Sequence, residues 1–184
     1  MNLLAVTVLL SGFAAAEADG MTNLDFAART LSGWEGEGFT LQVANADTGK
    51  VLCSVSSKDE ASGGHTAYLH RAFILPANAG FIRCKASAVW GKNCQPNENL
   101  EVLLLAAGKR VLSKQVRTAS GWKESGLLPA EDGQPREYIW PVARYAGQWL
   151  RLVLLDDDVR PGCYVHCAGF QVQTQEEFEA SEFG

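Results

Sequence analysis

This chain lacks a run of basic residues, an apolar stretch of membrane-spanning length and a long amphipathic helix. Its 16 Lys and Arg are scattered among 21 Asp and Glu, giving a net charge of −5. Nonspecific nucleic-acid binding depends on clustered cations that neutralise phosphates, so this balance argues against nucleic acid as a partner. The Gly-x-Ser-x-Gly elbow, the His-Glu-x-x-His helix and the Walker-type loop are all missing, which removes the hydrolase and nucleotide chemistries that those motifs carry. There is no internal repeat and no low-complexity linker.

What is present starts with Leu3 to Ala16, an apolar stretch ending in Ala14-Ala15-Ala16. It is too short to span a bilayer comfortably and has the small-residue end of a secretory signal. Met1-Asn2 supplies only the α-amino charge. Residues 1–16 are therefore expected to be a signal peptide, and the mature chain to work extracytoplasmically with no membrane span. Of the 184 residues, 168 remain after such a cleavage, enough for one domain with its own core.

Five cysteines in an exported chain suggest disulfides with one thiol left over. Cys163 and Cys167 would share a strand face about 13 Å apart, too far to bridge each other. Cys94 lies in the turn-like Gly91-Lys-Asn-Cys-Gln-Pro-Asn97 and Cys163 follows Arg160-Pro-Gly162, so a loop-to-loop Cys94–Cys163 bridge is the first choice, with Cys167 as the alternative partner. Cys53 and Cys84 fall on apolar strand faces, where they serve either as small buried hydrophobes or as a second bridge.

The body of the chain is a succession of short apolar runs rich in β-branched and aromatic residues, punctuated by Gly, Pro and Asp. Phe81 to Trp90 alternates most cleanly, with Ile82, Cys84, Ala86 and Ala88 on one face. Leu100–Leu105, the turn 106–109 and Arg110–Val116 read as a hairpin. Glu137–Val142, Gln148–Leu155 and Cys163–Val172 close the series around the acidic turn Asp156-Asp157-Asp158. Thr118 to Pro135 reads as the longest structureless stretch. Nine or ten strands at this spacing predict an all-β, jelly-roll-like β-sandwich as a single domain over residues 17–173. Residues 174–184 are left as an acidic tail or linker, either a short helix or a disordered end.

Asn23-Leu-Asp-Phe26 followed by Leu31-Ser-Gly-Trp34 resembles the opening of carbohydrate-binding-module-like sandwiches, the galactose-binding-like jelly rolls of secreted bacterial proteins. The run from Tyr138–Val142 through Tyr145-Ala-Gly147, Leu150–Leu155 and the aspartate turn resembles their closing half. The resemblance implies that Trp34 packs inward. It also implies a structural Ca²⁺ held by Asp25, Asp156 and Asp157, should the first and last strands be neighbours; a solvated acidic turn is the other reading.

Sugar binding in such folds uses aromatic faces laid on the C–H surface of a pyranose. Trp122, in a polar loop, is the first platform candidate, with Trp149 and Tyr145 next because they flank a turn. Trp90 falls on the core parity of Cys84. His166 and Cys167 are adjacent, so on a strand they point to opposite faces and cannot act as a nucleophile–base pair. The expected function is a secreted, non-catalytic module binding glycan or another extracellular surface, on its own or as the N-terminal targeting part of a larger protein. The alternatives are a disulfide-stabilised protein-docking module and, further off, a small hydrolase.

Overall fold

The computed structural model describes residues 21–45, 51–58, 66–91, 100–111, 113–118, 121–125 and 135–183. Its strands are β1 (Glu35–Glu37), β2 (Thr40–Asn45), β3 (Val51–Ser56), β4 (Ala67–Ile74), β5 (Phe81–Val89), β6 (Leu100–Ala106), β7 (Lys109–Arg110), β8 (Ser113–Thr118), β9 (Gly121–Ser125), β10 (Arg136–Pro141), β11 (Trp149–Asp156), β12 (Tyr164–Ala168) and β13 (Gln171–Gln173). They form two antiparallel sheets. One has the order β1-β4-β11-β6-β7; the other runs β2-β3-β12-β5-β10-β8-β9, with β13 also paired to β5. The all-β sandwich expected from the sequence is the observed fold.

Strict alternation builds the sandwich. On β11, Leu150, Leu152 and Leu154 point inward while Trp149 and Arg151 face out. β5 buries Ile82, Cys84, Ala86 and Ala88 as its pattern predicts. On β4, Ala67, Leu69 and Phe73 turn inward, and so does Arg71, only 5% exposed. A buried guanidinium needs hydrogen-bond acceptors. Arg71 Nη1 donates to the Ser32 carbonyl at 2.9 Å, and the segment Leu31-Ser-Gly-Trp34 closes over it. Gly33 has φ +80°, and a Cβ there would come within 2.0 Å of Arg71 Nη1.

A line of aromatic rings fills one part of the core. Phe26 packs on Trp34 (centroids 5.1 Å apart), Trp34 on Phe170 (5.9 Å) and Phe170 on Trp140 (6.4 Å). Trp34 therefore lies inside, as the resemblance implied. Through these rings the segment before β1 is joined to the end of the chain, and the Phe170 amide donates to the Leu24 carbonyl at 2.9 Å. Gly169 makes that contact feasible, since a Cβ there would stand 2.2 Å from Asp25 Cα.

Two features depart from the sequence expectation. The hairpin after β6 turns at Ala107-Gly108, inside the expected 106–109 turn (φ 47° and 74°). Its return strand stops at Arg110, Val111 dips into the core, and β8 continues in the other sheet. The stretch taken as structureless contains β9, so Trp122 lies on a strand rather than in a loop. The tail forms α1 (Gln175–Phe183). Thr174 Oγ1 accepts from the Glu177 amide and Glu177 Oε2 from the Thr174 amide, a reciprocal cap. Phe178 of α1 stacks on Phe81, centroids 4.0 Å apart.

Gly169→Ala forces a methyl group onto the backbone of Asp25, which a flexible neighbour cannot relieve. Urea unfolding is expected to show a loss of about 3 kcal/mol or more, in the range of severe steric substitutions, with loss of the near-ultraviolet signal of the Trp34 cluster.

Candidate functional site

The outer face of the five-stranded sheet carries an exposed indole. Trp149 is 58% exposed although it opens the sheet's central strand. Register places it opposite Ile74, and places Arg151 between Ala72 and Leu105. A groove of about 370 Å³ runs beside it, lined by Trp149, Arg151, Ala72, Leu105, Ala107 and Gly108. The β6–β7 turn thus forms one wall and the indole another.

The turn before β11 holds Trp149 in place. Ala143–Tyr145 makes one 3₁₀ turn, with the Tyr145 amide bonded to Val142 O at 2.8 Å. The Gly147 amide donates to Leu75 O, and the Leu75 amide to Gln148 O. Tyr145 packs partly against the core, with the Arg144 guanidinium 4.8 Å from its ring centroid. Of the three platform residues named from sequence, Trp149 is the exposed ring and Tyr145 braces its turn. Trp122 lies on β9, and its side chain is outside the described residues.

Farther along the same face lie two residues that are not among the platform candidates named from sequence. Tyr68 is 44% exposed and stacks on His70 with centroids 6.2 Å apart at 14°. His70 Nε2 is 3.9 Å from Glu35 Oε2. The signal was the alternation of β4, obscured because Arg71 sits at an inward position that reads as outward.

The second concavity, about 550 Å³, opens on the outer face of the eight-stranded sheet and includes Asp25, Arg83, Lys85, Glu137, Gln173 and Ser181 in its lining. Its chemistry is largely self-contained. Arg83 donates to Glu137 Oε1 through Nε at 2.8 Å and through Nη2, and its Nη1 donates to Ser181 Oγ at 3.0 Å. No aromatic ring lines it.

Asp25, Asp156 and Asp157 do not converge. Asp25 lies beside Gly169, with its Oδ1 accepting from the Ala27 amide at 3.0 Å. Asp156 ends β11, fully buried, and accepts from Ser57 Oγ at 2.7 Å and from the Asp158 amide at 3.2 Å. Asp25 sits at the junction of β12 and β13 in one sheet, whereas Asp156 closes β11 in the other. Among the described residues no group of three or more His, Cys, Asp or Glu side chains could hold a metal ion.

No disulfide joins any two of Cys53, Cys84, Cys163 and Cys167. Cys94, and with it the Cys94–Cys163 bridge, lies outside the described residues. The alternative partner Cys167 is a free thiol turned into the core, which corrects that pairing. Burial, and then the adjacent Cys167 thiol, push the Cys84 thiol well above its usual range. It stays protonated and is no nucleophile. Cys84 and Cys167 act as small core residues.

No known family pattern matches this chain, and no curated protein does. Solved structures do. TmCBM61, determined in complex with β-1,4-galactotriose, is 10% identical over 85% of this chain and 98% of its own, with a TM-score of 0.51. The fold is that of a carbohydrate-binding-module β-sandwich. CsCBM6-3 from Clostridium stercorarium, determined with cellobiose, is 11% identical over 80% of this chain and 91% of its own, with a TM-score of 0.38. No helix among the described residues is long and apolar enough to cross a membrane.

His166 gives the eight-stranded sheet a pH dependence. It lies between Ser56 and Ser87 in register, with Nε2 2.9 Å from Ser54 Oγ, and burial lowers its pKa from 6.5. The unfolded chain then binds the proton more readily, so stability present above pH 6.5 is lost as the pH falls through the lowered value. Urea midpoints at pH 7.5 and pH 5 should show this decline, and His166→Asn should flatten the part that His166 contributes.

Proposed function

We propose that the chain is a glycan-binding module that presents Trp149 as a stacking platform on the outer face of the five-stranded sheet. The carrying observation is that indole, more than half exposed at the edge of a groove. A sugar ring offers a flat C–H surface that an aromatic face covers, while nearby polar groups set its orientation. On the same face one strand away, Tyr68 lies two positions beyond His70, and His70 lies four positions along from Trp149 in register. That is about 13 Å at the usual strand rise, so an extended chain of sugars would run along β11 from one aromatic group to the other.

The role is non-catalytic on this reading. Arg151 is the one charged residue in the described groove lining, and no carboxylate there could serve as an acid or base. The galactotriose bound by TmCBM61 supports a polysaccharide as the class of ligand to try first. With residues 1–16 as an export signal, the module would meet such polymers outside the cytoplasm, on its own or as the targeting part of a larger protein.

Titrating the chain with soluble polysaccharides while following tryptophan emission tests this reading. Trp149→Ala should weaken binding by about tenfold or more, a stacking contribution of about 1–1.5 kcal/mol, while Trp122→Ala serves as the comparison. Binding that survives Trp149→Ala would remove Trp149 from the site. A protein-docking reading is favoured by one observation, the half-buried apolar group Leu103, Leu105, Val153 and Leu155 on the same face. Absence of binding to every glycan, together with self-association by light scattering, would select it.

A further inference from the structure

We infer that the glycan is anionic and that Arg151 takes its charged group; this rests on the Trp149 reading. Trp149 and Arg151 are two residues apart on β11 and face the same way, about 7 Å along the strand. A guanidinium extended from Arg151 therefore reaches a carboxylate or sulfate on the rim of a ring stacked over the indole.

Among the described residues this guanidinium has no internal partner. Its neighbours across the strands are Ala72 and Leu105, and neither can accept a hydrogen bond through its side chain. Other arginines of the sheets are engaged: Arg110 with Glu101, Arg83 with Glu137, and Arg71 with the Ser32 carbonyl. The carboxylates closest in register on this face are occupied too, Glu101 by Arg110 and Glu35 facing His70. Arg151 thus stands as a lone cation in an otherwise apolar groove, beside the one exposed indole described.

Charge complementarity at this spot does not come from the overall field. The whole chain carries −5, which repels polyanions at long range and leaves a local contact to select them. A planar guanidinium suits a carboxylate through two parallel hydrogen bonds, and meets a sulfate as well. Uronic-acid polymers and sulfated galactans share that chemistry.

Affinity measurements on wild type and Arg151→Gln, using polygalacturonate, carrageenan and neutral galactan at low and high salt, test the inference. At least one anionic polymer should bind about three- to tenfold more tightly than neutral galactan, as a single partly exposed charge contact allows. Arg151→Gln should abolish that preference and its salt dependence while leaving the thermal midpoint unchanged. Arg151→Lys should restore part of it. The tighter of the two polyanions identifies the anion. Neutral galactan bound as tightly as both polyanions, or a preference that survives Arg151→Gln, would overturn the inference. In either case, loss of all binding in Trp149→Ala would still uphold the platform.

Discussion

The outer site depends on the double pairing of β11. All eight residues of the strand pair with β4, and seven of them with β6, so its register is fixed from both sides. The side-chain period of a strand is two, and a slip by one residue would exchange its faces. Leu150, Leu152 and Leu154 would then turn to water and Trp149 and Arg151 to the core. Burial of a leucine contributes about 2 kcal/mol, so three of them represent much of a typical domain stability of about 5–15 kcal/mol. The same alternation that builds the core therefore holds the indole and the guanidinium outside.

A second constraint ties the two sheets at the far end of that strand. Asp156 completes β11 in one sheet and accepts the Ser57 hydroxyl; Ser57 Oγ in turn accepts the Val165 amide of β12 in the other at 2.8 Å. A fully buried carboxylate is costly unless its lone pairs are filled; here the local Asp158 amide fills one oxygen and the Ser57 hydroxyl, which only the assembled sandwich brings there, fills the other. The aromatic line from Phe26 to Trp140 performs the equivalent task for the segment before β1, with contacts in place of charge.

Most of the fold could be read from alternation. β5, β10 and β11 appear close to where their patterns put them, because half-buried strands write their burial directly into every second residue. The reading lost accuracy where a tertiary contact overrode the local pattern. Arg71 occupies an inward site because the Ser32 carbonyl receives it, and that hid the outward series Tyr68, His70. The hairpin after β6 was recognised from Ala107-Gly108, yet nothing local announces that Val111 would carry the chain across to the other sheet. Trp122 looked like a loop residue because Gly121 and Lys123 flank it, although its backbone is strand. Trp149 was legible as a candidate from the turn before it, whereas its rank above Tyr145 required knowing which ring the core had taken up.

The edges of the five-stranded sheet add a consequence for behaviour at high concentration. β1 is three residues long and carries Glu35 and Glu37; β7 is two residues long and carries Lys109 and Arg110. Edges this short and this charged offer little template to a strand from another molecule. They bear opposite signs, however, so whatever residual attraction exists between copies is polar and head-to-tail, and it weakens as salt rises. A five-stranded sheet bordered this way resists fusing edge to edge with another copy even when the protein is crowded.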